Sequence, residues 1–188
     1  MESALGYEPR KRAGSNPAGC TRKVYMIWFT SDQHFYHDRI IEYCKRPFKD
    51  SIEMNNEIIK RYNSVVKDED IVYHIGDFTL LDKEDNYRKI SRIVSQLKGI
   101  KYLILGNHDD FRPFTCVKMG FVSVHTSLEK EGYVMVHDPA ASCIDRNKTF
   151  LCGHIHELFK IQKNVYNVGV DVQNFYPVSI EQIKKEII

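Results

Sequence analysis

Apolar and polar positions alternate along this chain in a strand-then-helix rhythm for its first two thirds. Residues 25–30 are apolar, β-branched and aromatic, which predicts a buried strand. Asp38 caps a short helix through residue 43, and Pro47 then interrupts the helical pattern. Over residues 51–66, Ile52, Ile58, Ile59, Tyr62 and Val66 recur at spacings compatible with one helical apolar face. Ser51 and Met54 do not complete a capping box, although Glu53 favours the helix start electrostatically. A second strand over 70–75, a long helix over 84–97 ended by Gly99, and a third strand over 101–105 continue the alternation. Residues 111–119 predict a helix that stops at Gly120.

Beyond residue 120 the pattern turns to strands. Residues 121–126, 128–129 and 133–137, the last two flanking Glu131-Gly132, predict antiparallel hairpin geometry. Further short strands are expected over 149–152 and 165–170, and a closing amphipathic helix over 179–187 with Pro177 near its start. Alternation followed by strands predicts an α/β protein with a mixed sheet or two packed sheets. Residues 1–22 break the pattern. They mix Gly, Pro, Ser, Asn and basic residues without apolar periodicity and are expected to be disordered, leaving residues 23–188 as a single domain. The run Pro17-Ala18-Gly19-Cys20 lacks the apolar segment that a lipoprotein signal requires.

Composition narrows the partners. The 27 basic and 25 acidic residues leave a net charge of +2, unlike the strongly basic footprint of a protein that lives on nucleic acid. Nucleic acid is therefore not indicated as a partner, although a local basic patch is compatible with these numbers. No apolar run approaches the ~18 residues of a membrane span. The five cysteines (Cys20, Cys44, Cys116, Cys143 and Cys152) are odd in number and form no CxxC pair, so reduced thiols in a cytoplasm are expected. Cys152, within an apolar stretch, is read as a small core residue rather than a ligand.

The candidate chemistry lies where predicted strands run into loops, the usual place for ligand sites in open α/β sheets. Asp32 and His34, two apart past an extended segment, can point to one side and grip one cation. In Gly76-Asp77 the glycine leaves room for a carboxylate to approach a metal closely. Gly106-Asn107-His108-Asp109 offers a neutral oxygen ligand, a proton-donating imidazole and a carboxylate able to orient it. His137 ends another strand, and Gly153-His154-Ile155-His156 places two histidines two apart behind a glycine. Each block alone has a plainer explanation as a turn, an Asx hydrogen bond or a packed histidine. Together their oxygen and nitrogen donors suit divalent Mn, Fe, Zn, Ni or Co, and with no thiolate implicated a structural zinc finger is disfavoured.

In order and spacing, Asp32-x-His34, Gly76-Asp77, Gly106-Asn107-His108-Asp109, His137 and Gly153-His154-x-His156 resemble the signature of the calcineurin-like metallophosphoesterases. The stretches 30–35 and 167–171 resemble a compact bacterial and phage group within that superfamily. The resemblance implies two packed mixed sheets flanked by helices, a four-layer α/β/β/α sandwich, and two divalent metal ions. It implies that Asp32, His34 and His156 hold one ion, that Asn107, His137 and His154 hold the other, and that Asp77 bridges them. A water or hydroxide between the ions would attack a small phosphomonoester or phosphodiester, with His108 assisting the leaving group and Asp109 orienting His108. His37, near the first block, is expected at the rim of the site in contact with substrate. A nuclease acting on polynucleotides, or a binding scaffold that kept the fold and lost catalysis, are the competing readings. Of the rest, His74 is expected to be packed or to support the ligands from behind, His125 structural or superficial, and Arg39, Arg46 and Arg112 on a solvated face, with contact to the substrate phosphate as their alternative. Asn167 and Asp171 are expected in a turn, with support of the histidine loop as their alternative role.

Overall fold

The computed structural model describes residues 25–81, 86–110, 112–143 and 145–187; the leader expected over residues 1–22 lies outside them. Two five-stranded mixed sheets form the centre. The first is ordered β10-β1-β2-β3-β4, from β1 (Ile27–Thr30), β2 (Ile71–Ile75), β3 (Ile100–Ile104), β4 (Ser123–His125) and β10 (Val178–Ser179). Its first four strands run parallel, and β10 joins β1 antiparallel with Trp28 opposite Ser179. The second is ordered β5-β6-β7-β9-β8, from β5 (Ser127–Lys130), β6 (Tyr133–Val136), β7 (Phe150–Cys152), β8 (Ile161–Gln162) and β9 (Val165–Asn167). Its central strands β6, β7 and β9 are parallel, and the two outer pairs antiparallel.

Side-chain alternation assigns the faces. Ile27 and Phe29, Tyr73 and Ile75, and Ile104 point from the first sheet into an inter-sheet core, where they meet Met135, Leu151 and Tyr166 of the second. The intervening positions Val72 and Leu103 face α2 (Ser51–Val65), α3 (Tyr87–Gln96) and α4 (Pro113–Met119). α1 (Asp38–Tyr43) adds Ile40 to this helical layer. α5 (Ile180–Glu186) inserts Ile180 and Ile183 into the inter-sheet core and carries a full capping box from Ser179 and Gln182. The outer face of the second sheet bears Val136, Phe150, Cys152 and Val165 in a smaller cluster under a 3-10 turn over Pro139–Cys143. The two mixed sheets flanked by helices are the architecture expected. No helix among the described residues is long and apolar enough to cross a membrane.

Local differences have simple causes. In α2 the buried stripe is Met54, Ile58 and Tyr62, at four-residue intervals, while Ile52 is 57% exposed. Its cap is Asp50, whose Oδ1 accepts from Glu53 N at 2.8 Å, and Glu53 in turn accepts from Lys49 N. Residues 121–130 do not form one hairpin arm: the chain leaves the first sheet after β4 and enters the second at β5. The β5–β6 hairpin itself is as expected, with φ of 58° at Glu131 and 85° at Gly132. β8 and β10 are two residues each, too short to leave a periodic signal.

Candidate metal centre

The strand ends of the two sheets meet at one place. Past β1 the chain bridges to the segment past β9, with Ser31 opposite Gly169 and Val170 N donating to Ser31 O at 3.0 Å. It also stays zipped to the segment past β2, since Asp32 N, His34 N and Phe35 N donate to Gly76, Asp77 and Phe78 carbonyls at 2.9–3.0 Å. Asp32 and Asp77 are thus carried from the first sheet, and His137, His154 and His156 from the second, into a common space. Gly153 permits the approach: a Cβ there would overlap Ser31 Oγ and Asp32 Oδ2.

Three groups of donors result among the described residues, two built from the expected ligands and a third, which shares His156, from Cys44, His156 and Asp171. Ligand atoms of Asp32, His34 and His156 lie within 4.8 Å of one another, and so do those of Asp77, His137 and His154. Asp77 Oδ2 stands between these two groups, 3.6 Å from His34 Nε2 and 3.2 Å from His137 Nε2. Asn107 Oδ1 is 2.9 Å from His154 Nδ1, which brings the asparagine to the second group. All seven residues expected as ligands therefore converge.

The donor set fits divalent cations. His34 Nε2 and His137 Nε2 are buried and make no well-formed hydrogen bond, an arrangement that is unfavourable unless something else satisfies them. His137 Nδ1 lies 2.8 Å from the Ile75 carbonyl and His156 Nδ1 2.8 Å from Asp171 Oδ2. Those contacts make Nδ1 a donor and turn Nε2 towards the site, where it can bind a metal once the imidazolium has given up its proton. Burial pushes His34 down to about 2, so its imidazole is neutral, as a ligand must be. Burial opposes charge on His137 too, but the Asp77 and Asp32 carboxylates outweigh it and raise the imidazole to about 9. Burial likewise resists ionisation of Asp77, yet His137 and the His108 N–H hold it at about 2. A site that needs nearby imidazolium to balance its carboxylates is one where cations can take over that role.

The sequence matches the calcineurin-like phosphoesterase family over residues 25–186. The chain belongs to that family. It is 35% identical over 176 residues to an uncharacterised protein of Methanocaldococcus jannaschii, covering 88% of this chain and 92% of that one. It is 37% identical over 87 residues to the gene 66 protein of Mycobacterium phage L5, covering 46% of this chain and 41% of the phage protein. A crystal structure of an Aquifex aeolicus protein of unknown function superposes with a TM-score of 0.67 at 26% identity, covering 87% of this chain and all of that one. The archaeal relative extends the likeness beyond a bacterial and phage group.

Several residues of this calcineurin-like centre take places that differ from expectation. Arg46 is not on a solvated face. It is 4% exposed, donates to both Asp171 oxygens at 2.7 and 2.8 Å, and donates to the Asp32 and Gln33 carbonyls at 2.8 and 3.1 Å. Asp171 therefore holds His156 from one side and Arg46 from the other. Asn167 Nδ2 donates to the His156 and Phe159 carbonyls at 2.8 and 3.0 Å, so both turn residues do support the histidine loop. Asp109 is buried, and its oxygens accept from Phe78 N at 2.9 Å and Gly106 N at 3.0 Å. No described contact joins it to the exposed His108 ring, so Asp109 braces two loops instead of orienting its neighbour. His108 N donates to Asp77 Oδ1 at 2.9 Å, and its ring lies 5.5 Å from that of His34. His37 Nδ1 is 3.3 Å from His34 Nδ1, half-buried beside the first group. His74 packs between Tyr62, Phe78 and Phe121, fully buried, and Cys152 is a core residue.

Proposed function

We propose that this protein is a dinuclear metal-dependent phosphoesterase acting on a phosphomonoester or a small phosphodiester. The observation that carries the reading is Asp77 Oδ2 standing between the buried Nε2 atoms of His34 and His137, neither in a well-formed hydrogen bond and each at the head of its own donor group. Asp32, His34 and His156 would hold one divalent ion, Asn107, His137 and His154 the other, with Asp77 shared. Such ions, when bound, supply Lewis acidity to a phosphoryl oxygen and lower the pKa of water.

The chain's own residues do the rest. Two carboxylates against two dications leave the centre positive, which draws an anionic phosphate by Coulomb attraction alone. Asp171 and the Ile75 carbonyl keep His156 and His137 in the tautomer that presents Nε2. His108, exposed at the mouth with its backbone pinned to Asp77, is placed to give a proton to the leaving oxygen. His37, at the rim beside His34, contacts the substrate. The presence of every ligand position and of His108 weighs against a non-catalytic scaffold.

The test is turnover of phenyl phosphate and diphenyl phosphate, whose phenoxide needs a proton to leave far more than p-nitrophenoxide does, with Mn²⁺, alongside elemental analysis. His108→Ala should keep its metal content and lose ~10²–10⁴-fold in kcat. Asp77→Asn should lose metal as well as activity. Equal turnover by His108→Ala would sink the assignment of the acid.

A further inference from the structure

A cavity of about 680 Å³ opens beside the second donor group. Asn107, His137 and His154 form its inner wall, so it is continuous with the proposed metal centre. Its apolar flank is the outer face of the second sheet, where half-buried Val134 packs against the buried Val136 and Phe150, and half-buried Leu105 adds to the lining. Cavities of ~300–1,000 Å³ with such lining and a few polar groups are the usual small-molecule sites. Its outer part bears Glu129, Asp138 and Asp145 against one lysine, Lys148, whose ammonium is 2.7 Å from Glu129 Oε2. A second phosphate or a carboxylate entering here would meet net negative charge. His108 is not among the residues lining it and sits instead towards His34.

We propose that this cavity receives the ester group retained on phosphorus, and that this group is neutral and aromatic, as an aryl or nucleoside substituent is. The inference rests on the phosphoesterase reading above and makes the enzyme a diesterase for small diesters. With phosphorus at the metal centre, the retained group lies against Val134 and Leu105 while the leaving oxygen faces His108. The oxygen of water bonds to phosphorus and gives one proton to solvent, the bond to the leaving oxygen breaks, that oxygen takes a proton from His108, and solvent returns a proton to His108. The products are an alcohol and a monoester still seated in the cavity. Polynucleotides are disfavoured because the next backbone phosphate would face the acidic outer part.

The experiment compares substrates that share p-nitrophenolate as leaving group and differ in what stays on phosphorus. These are p-nitrophenyl phosphate, its methyl ester, the bis(p-nitrophenyl) ester and p-nitrophenyl phosphorylcholine, each with the full chain loaded in turn with Mn²⁺, Fe²⁺, Zn²⁺, Ni²⁺ or Co²⁺. Each rate is divided by the substrate's own alkaline hydrolysis rate to remove intrinsic reactivity. The bis ester should exceed the methyl ester in kcat/KM by about tenfold or more, as expected for burying an aromatic ring. Ala141→Trp and Ser127→Trp, which fill the cavity from two sides, should bring that ratio to within about twofold. Ser127 is exposed, so that variant still reports if Ala141→Trp fails to fold. A parent ratio near one, a ratio unchanged in the folded variants, or a preference for the choline ester overturns the proposal. Failure of every substrate with every metal would instead remove the phosphoesterase reading itself, whereas turnover without discrimination removes only the cavity assignment.

Discussion

Removing the Arg46 guanidinium should loosen the candidate metal centre without touching any proposed ligand. Arg46 joins three segments: the Asp32-Gln33 backbone, its own loop after α1, and Asp171 beyond β9. In Arg46→Met the Asp171 carboxylate stays buried with His156 and the Cys44 thiol beside it but no guanidinium, and two carbonyls lose their donor. Breaking a buried ion pair by deleting one partner costs about 3–5 kcal/mol. For a chain of 188 residues, each kcal/mol lowers Tm by ~2–4 °C, so a fall of roughly 6–20 °C is expected. Asp171 would also cease to aim His156, and loss of such a supporting contact typically weakens metal binding ~10–100-fold. Thermal unfolding by circular dichroism in chelator reads the first effect, and Mn²⁺ titration calorimetry the second. The pair can be separated from the arginine's bulk: Arg46→Met combined with Asp171→Leu should be less destabilised than the two single variants summed, by about 1 kcal/mol or more. An Arg46→Met protein that melts within a degree or two of the parent and binds Mn²⁺ equally well would refute the reasoning, because the observed contacts would then restrain nothing.

Gly153→Ala should destabilise the fold by ~1–3 kcal/mol, since its Cβ overlaps Ser31 and Asp32, and denaturant unfolding would show no change if the loop can retreat. Asp109→Asn can accept from only one of the two amides at Gly106 and Phe78, so a lower Tm is expected with the shape of the pH–rate profile unchanged. A shifted profile at unchanged Tm would restore Asp109 to the role of orienting His108. In the metal-free protein His137 titrates at about 9 and His156 at about 10, both above the ordinary imidazole value of 6.5. A raised folded pKa stabilises fully below the unfolded value and is lost as pH climbs through the folded one, so metal-free stability should fall between pH 6.5 and 10. Mn²⁺ binding near pH 7 must then release about two protons, measured by calorimetry in buffers of different ionisation enthalpy, and no release would contradict the assignment.

The fold was legible wherever a segment was long enough to carry a period. β1, β2 and β3 appear as near-continuous apolar runs because both faces are covered, Phe29 and Tyr73 by the second sheet and Val72 and Leu103 by helices. The helix ends at Gly120 and the hairpin at Glu131-Gly132 reflect backbone conformations that few residues adopt easily. Features decided only by tertiary pairing stayed hidden. β10 is two residues whose strand character comes from lying against Trp28 and Phe29. The stretch 165–170 reads as one strand, yet it leaves β7 after Asn167 and reaches across to Ser31, a change of partner that periodicity has no means of recording.

The site was legible for a different reason, and partly for the wrong one. Donor types in order identified all seven converging residues, but two-residue spacing on an extended chain is not how they converge. Asp32, His34, Asp77, His154 and His156 all have φ between 45° and 71°, in the left-handed region. Such a conformation costs an L residue ~1–3 kcal/mol and persists only where surroundings enforce it. Here the enforcement is visible: Asp32 N and His34 N are tied to the Gly76 and Asp77 carbonyls, His154 N to the Asp32 carboxylate, and the Asp32 carbonyl to Arg46. A left-handed residue at the end of a strand turns the chain sharply and throws its side chain over the strand end, which is where the donors collect. Arg46 was unreadable, Asp109 was legible as a site residue but not in its role, and Asp171 only as an alternative, because their task is to hold that backbone, through contacts as far as 125 residues apart that no local pattern records. Loss of those braces should therefore relax the left-handed turns first and scatter the ligands as a consequence, with the core of both sheets left intact.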